Sequence, residues 1–174
     1  YEDYRKMLEK ENLDVVHVCT PHYLHAEMTI AALEKNINVI CEKPLAINQT
    51  QLDDIEKAVK ASKAQLGVCF QTRYNRSFTE LKKIIRPEEV IAAYANLVWV
   101  RDKAYYDSGA WRGTKDKEGG GVLINQAIHS LDLLLWVCGM PKSIVAHCFD
   151  DSLKGVIEVE DTVHGVYDLG DNRN

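Results

Sequence analysis

The chain has 174 residues, 46% hydrophobic and 27% charged, which suits a soluble globular protein of one to one and a half domains with a sizeable core. Twenty-one basic against twenty-six acidic residues give a net charge of −5, and no Lys/Arg block is long enough to follow a phosphate backbone, which argues against a nucleic-acid partner. The longest apolar run, 131–138, contains Asp132 and is too short to span a bilayer, and the charged start Tyr4-Arg5-Lys6-Met7-Leu8-Glu9-Lys10 lacks the pattern of a targeting signal, so no membrane association is expected.

The first half predicts alternating elements. An amphipathic helix over 2–12 precedes a strand at 14–19, rich in β-branched residues and stopped by Thr20-Pro21. A helix over 24–36 follows, with Met28, Ala31, Ala32 and Leu33 as its apolar face, then a strand at 38–41 ended by Glu42-Lys43-Pro44. Asn48-Gln49-Thr50 offers a cap for a helix over 51–62, and 65–70 makes a third strand. Strand, helix, strand, helix, strand with short connections predicts a parallel sheet covered by helices.

After Arg73 the rhythm changes. A helix over 78–85 is broken by Pro87, and a long strand is expected at 90–101. A polar loop carrying Trp111-Arg112 leads to Gly119-Gly120-Gly121, a helix over 122–137, and strands at 143–149 and 162–168. Strands without intervening helices predict a mainly antiparallel sheet, and the domain boundary is placed near 72–75, giving domains of 1–73 and 74–174.

Lys43 stands at the carboxyl end of a parallel strand, where open α/β sheets hold their ligands, which makes it a candidate for chemistry. In the helix after the triple glycine, Asn125, His129 and Asp132 are spaced to share one stripe, with Ile124, Ile128, Leu131 and Leu135 on the core side. An imidazole so placed can act as a general acid/base, or can be a half-buried histidine bonded to Asp132. The five cysteines are odd in number and widely spaced in strand-like runs, which reads as buried free thiols in a reducing cytoplasm. His17, Cys19, His22 and His25 offer metal-ligand types within nine residues, but strand and helix spacing gives each a structural role, so no metal is expected. The chain has no Gly-x-Gly-x-x-Gly turn, and it opens with a helix before a strand, so it reads as starting partway through a nucleotide-binding domain.

Taken in order, Thr20-Pro21-His22…His25, Glu42-Lys43-Pro44, Arg73-Tyr74-Asn75, Trp111-Arg112 and Gly119-Gly120-Gly121-Val122-Leu123…His129-Ser130-Leu131-Asp132 resemble the glucose-fructose oxidoreductase/inositol dehydrogenase/MocA family along nearly the whole chain. The resemblance implies an α/β fold: the second half of a Rossmann-type parallel sheet, then part of an α+β domain with an open, mainly antiparallel sheet. It also implies hydride transfer between NAD or NADP and a CH–OH carbon of a sugar, cyclitol or sugar derivative.

Carried onto this sequence, the resemblance makes Lys43 the group that hydrogen-bonds the reacting oxygen and His129 the one that exchanges the hydroxyl proton. Thr20, Pro21, His22, Glu42, Lys43 and Pro44 would line the cofactor, and Arg73, Trp111, Arg112, Asn125 and His129 the substrate. It further implies a homo-oligomer formed through the second-domain sheet. Many polyol dehydrogenases of the family carry an aspartate where this chain has Asn125, an amide that keeps hydrogen-bonding capacity without the charge. A ligand-sensing member with little activity, and a zinc-binding or purely structural module, are the competing readings.

Overall fold

The computed structural model describes residues 1–170 and 173; residues 171, 172 and 174, at the end of the chain, lie outside that description. Backbone contacts group the chain into two units, one formed by Tyr1–Cys69 with Thr114–Gly119, the other by Phe70–Gly113 with the residues from Gly120 on.

The first unit contains helix α1 (Tyr4–Lys10), strand β1 (Val15–Val18), helix α2 (His22–Glu34), strand β2 (Asn38–Cys41), helix α3 (Gln49–Ala61) and strand β3 (Leu66–Val68). The three strands form a parallel sheet in the order β1-β2-β3. Side chains that could compete with the backbone instead mark the helix starts. Asp3 accepts from the Arg5 N–H at 2.9 Å and opens α1, and Asn48 accepts from the Gln51 N–H at 2.9 Å and opens α3. Asn38 joins all three strand starts: its amide donates to the Asp14 carbonyl and its oxygen accepts from the Gln65 N–H.

Burial alternates along the strands. Val18, Val39 and Cys41 face a core completed by Leu8, Ala32, Leu33 and Ile37, while Val15, His17, Asn38 and Ile40 are exposed on the other face. Full burial of a leucine such as Leu33 contributes about 1.5–3 kcal/mol. The buried stripe of α2 differs from the expected apolar face: it runs through His22, His25, Ala26, Thr29, Ala32 and Leu33, with Met28 and Ala31 only half-buried. Polar side chains sit on this stripe because they have partners there, described below.

In the second unit, a 3₁₀ turn (Gln71–Tyr74) leads into helix α4 (Arg76–Ile84), capped by Asn75, and a 3₁₀ turn (Pro87–Glu89) follows. Residues 90–101 do not form the expected strand. Among the described residues none pairs with them, and Tyr94 and Val98 are 93% and 88% exposed. Alternating β-branched and aromatic residues supply a face, but a strand also needs a neighbour for its N–H and C=O groups. The polar segment after it holds a short helix, α5 (Lys103–Asp107), capped by Asp102.

The helix after the triple glycine begins as a π turn (Leu123–Ala127) and continues as α6 (Ile128–Cys138), ended by Gly139 at φ 88°. Bonding from i to i+5 widens that turn, so residues 125 and 129 are out of the phase that a continuous α-helix gives. The expected apolar side is corrected accordingly. Gln126, Asp132 and Cys138 are the buried positions, and Ile124, Ile128, Leu131 and Leu135 are half-buried. Strands β4 (Ser143–Phe149) and β5 (Thr162–Asp168) pair antiparallel, with Ser143 opposite Asp168 and Phe149 opposite Thr162.

The cysteines are all free, but only Cys41 and Cys138 are buried; Cys19 and Cys148 are exposed, correcting the expectation of five core thiols. Among the described residues no helix is long and apolar enough to cross a membrane.

Candidate active site

In the first unit the connections after β1 and β2 lie side by side at the carboxyl end of the sheet. Thr20, Pro21 and His22 form the first, Glu42, Lys43 and Pro44 the second, and the fully buried His25 ring bridges them. Its nitrogens stand 2.7 Å from the Thr20 carbonyl oxygen and 2.6 Å from that of Pro44. His22 is buried too, with Nδ1 3.1 Å from the Glu118 carbonyl oxygen. The histidines of α2 therefore fasten loops. Lys43 is half-buried and is followed by a cis bond to Pro44.

The four residues weighed as a zinc set do not gather: His22 and His25 bond backbone carbonyls, while His17 lies beside Glu42 and Cys69. Glu42 Oε1 is 3.7 Å from His17 Nε2, both partly exposed. Burial pushes the Cys69 thiol pKa up, and the Glu42 carboxylate adds to the rise.

In the second unit Arg73 is held by Asp132 through two parallel bonds, Nε to Oδ2 at 2.7 Å and a terminal N–H to Oδ1 at 2.5 Å. The guanidinium also lies 5.7 Å from the Phe70 ring centroid and 5.5 Å from that of Trp136. The hydrogen bond to Asp132 raises the Arg73 pKa further. Asp132 thus serves Arg73, whereas His129 stands edge-on to Phe70 with centroids 6.3 Å apart.

Arg112 and Asn125, both expected at the substrate, meet on a residue the sequence reading passed over. The Tyr105 hydroxyl accepts from Arg112 at 2.5 Å and from the Asn125 amide at 3.1 Å, and Arg101 and Arg112 each lie 4.5 Å from its ring centroid. Arg112 also lies 4.5 Å from the Trp111 ring centroid. The one local sign of Tyr105 was the Asp102 cap, whose side chain accepts from the Tyr105 N–H at 2.9 Å. Glu160 was passed over as well. Its carboxylate accepts from the N–H groups of Gly121 and Leu123, and its carbonyl from Val122, which anchors the start of the helix carrying Asn125 and His129.

A parallel sheet with helices between its strands and a loop lysine at its carboxyl edge, followed by a unit with an antiparallel sheet, has the layout of part of a Rossmann-type domain joined to a second domain. Residues 1–70 match the Oxidoreductase family, NAD-binding Rossmann fold, and residues 78–173 match the GFO/IDH/MocA C-terminal domain. The chain belongs to the Gfo/Idh/MocA oxidoreductase family.

Curated relatives include the D-glucoside 3-dehydrogenase of Escherichia coli K12, 30% identical over 86% of this chain and 43% of that protein. Another is the myo-inositol 2-dehydrogenase of Thermotoga maritima, 27% identical over 80% of this chain and 40% of that protein. Among solved structures, the WlbA dehydrogenase of Bordetella pertussis in complex with NADH and UDP-GlcNAcA is 31% identical with a TM-score of 0.87, covering 94% of this chain and 47% of that one. The chain thus spans about two fifths of the length of these curated relatives.

Proposed function

We propose that this chain is part of an NAD(P)-dependent oxidoreductase acting on a CH–OH group of a sugar, cyclitol or sugar derivative. The observation that carries the reading is the placement of Lys43 on a loop after a parallel strand, beside the Thr20–Pro21 turn and tied to it by His25. The paired loops fit the nicotinamide–ribose end of a dinucleotide, with Thr20, Pro21, Glu42, Lys43 and Pro44 to hold it and the buried His22 packed behind them. These 174 residues contain no glycine-rich turn for the pyrophosphate. Bound NAD or NADP supplies or accepts the hydride.

The chain's own residues handle the oxygen and its proton. The Lys43 ammonium donates to the reacting oxygen and stabilises the alkoxide character that grows as the carbon is oxidised. The His129 imidazole exchanges the hydroxyl proton. Arg73, Trp111, Arg112 and Asn125 bind substrate hydroxyls, and Asn125, neutral and bonded to Tyr105, favours a substrate other than the inositol type. Free thiols throughout suit the cytoplasm. The exposed β4 strand suits a homo-oligomer formed through its sheet.

The test measures NAD(P)-linked turnover by the full-length protein. Lys43→Met keeps the apolar stem and removes the charge, so the chemical step should slow about a hundredfold or more with little change in cofactor affinity. An unchanged rate would overturn the role of Lys43. Absence of NAD(P)-linked turnover on any sugar or cyclitol would overturn the reading.

A further inference from the structure

Three strands of the first unit bring three different metal-ligating side chains to one place. His17 pairs in register with Ile40, Glu42 lies two residues beyond Ile40, and Cys69 follows Val68, the register partner of Cys41. The strand period of two therefore puts His17, Glu42 and Cys69 on the same face. Ladder bonds continue past the strand ends, from the Glu42 N–H to the Val18 carbonyl and from the Cys69 N–H to the Cys41 carbonyl, each 2.9 Å, so two of the three backbones are anchored.

The two separations from His17 match those a small tetrahedral cation needs. Bonds of about 2.0–2.1 Å to nitrogen or oxygen and about 2.3 Å to sulfur place neighbouring ligand atoms about 3.3–3.6 Å apart. His17 Nε2 stands 3.6 Å from Cys69 Sγ and 3.7 Å from Glu42 Oε1, and all three ligand atoms lie within 4.8 Å of one another. A thiol hydrogen bond accounts for the Cys69 contacts, to the imidazole at 3.6 Å and to the Glu42 carboxylate. It leaves the carboxylate's convergence on the same ring nitrogen as a weak, partly exposed ion pair.

We propose that His17, Glu42 and Cys69 bind a zinc-class divalent cation through one nitrogen, one oxygen and one sulfur, with water in the fourth position. Mixed thiolate and imidazole ligands select this class over magnesium or calcium. Binding exchanges the Cys69 thiol proton for the cation and releases that proton to solvent. Glu42 also belongs to the set placed at the cofactor, but the assay below contains no NAD or NADP, so its outcome does not depend on the hydride-transfer reading.

The probe is cobalt(II) added to the reduced, metal-free 174-residue chain. A sulfur-to-cobalt charge-transfer band and tetrahedral visible bands should saturate at one equivalent and be displaced by zinc(II) but not by magnesium(II). Cys69→Ser should remove the charge-transfer band, His17→Ala should weaken binding by more than about tenfold, the cost of losing even an outer hydrogen-bond partner of a ligand, and Cys19→Ser should change neither. Circular dichroism confirms that each variant is folded. In the unmutated chain, zinc(II) should also protect Cys69 from alkylation, mapped by mass spectrometry, so the site is tested even if Cys69→Ser unfolds. Absence of the band, its survival in Cys69→Ser, its loss in Cys19→Ser, or unprotected Cys69 in saturating zinc would overturn the proposal.

Discussion

Replacing Gly121 with alanine tests how the His129 helix is held. A Cβ built at Gly121 falls 1.8 Å from the Glu160 carbonyl oxygen, 2.8 Å from its carbon and 3.1 Å from its nitrogen. Ordinary contact begins near 3.4 Å, so backbone must move by more than an ångström, and a rotamer change cannot relieve the clash. Glu160 is also the residue that receives the Gly121, Val122 and Leu123 N–H groups. Forced overpacking costs about 1–3 kcal/mol and each of the three displaced hydrogen bonds about 1 kcal/mol, so Gly121→Ala should destabilise the second unit by about 4–6 kcal/mol. Gly120→Ala is the control: its Cβ meets side-chain atoms alone, Ile124 Cγ2 at 3.2 Å, Ile124 Cβ at 3.5 Å and Glu160 Oε1 at 3.9 Å, and should cost under about 1 kcal/mol. All three tryptophans lie in the second unit, so urea unfolding followed by tryptophan fluorescence reads this unit directly. Equal midpoints for Gly121→Ala and the parent chain would refute the argument.

The Arg73–Asp132 pair makes a second test: Asp132→Ala leaves the guanidinium without its bidentate acceptor and should cost about 2–3 kcal/mol, below the fully buried case because Arg73 is 39% exposed, and a change under 0.5 kcal/mol by the same urea assay would sink it. Burial pushes the Cys41 thiol up to about 11, so Ellman's reagent should titrate Cys19 and Cys148 quickly and Cys41 only on unfolding. Because the folded pKa is raised above the ordinary value of 9.0, the thiol's contribution to stability is complete below that value and lost as pH climbs through about 11; a stability flat across that window in a Cys41-dependent comparison with Cys41→Ala would contradict this. Light scattering should find the chain associated through β4 and β5, and Val145→Lys with Val166→Glu, paired opposite one another and both exposed, should return it to monomer; a parent chain that is monomeric at high concentration would refute the oligomer.

Local chemistry determined most of the first unit. β-Branched and apolar runs at 14–19 and 38–41, the cap at Asn48, and short connections between strand and helix are decided by residues a few positions apart, so they were readable and the parallel β1-β2-β3 sheet followed, whereas the Asp3 cap and the alternating burial of the strands emerged in the structure. Family-specific stretches such as Glu42-Lys43-Pro44 also identified the protein's kin without coordinates. What the sequence left open depends on partners far along the chain. Residues 90–101 have a strand's composition and no ladder neighbour, so pairing failed where propensity was satisfied. The buried stripe of α2 took in His22, His25 and Thr29 because carbonyls at Glu118, Pro44 and Thr20 meet its imidazoles, and hydropathy has no means of reporting such acceptors. Tyr105 joins Arg112 to Asn125, Glu160 secures Gly121 from 39 residues away, and Cys69 comes to His17 from 52 residues away. Those meetings cost loop closure and backbone entropy that only the assembled tertiary structure repays, which is why no window of sequence contains them.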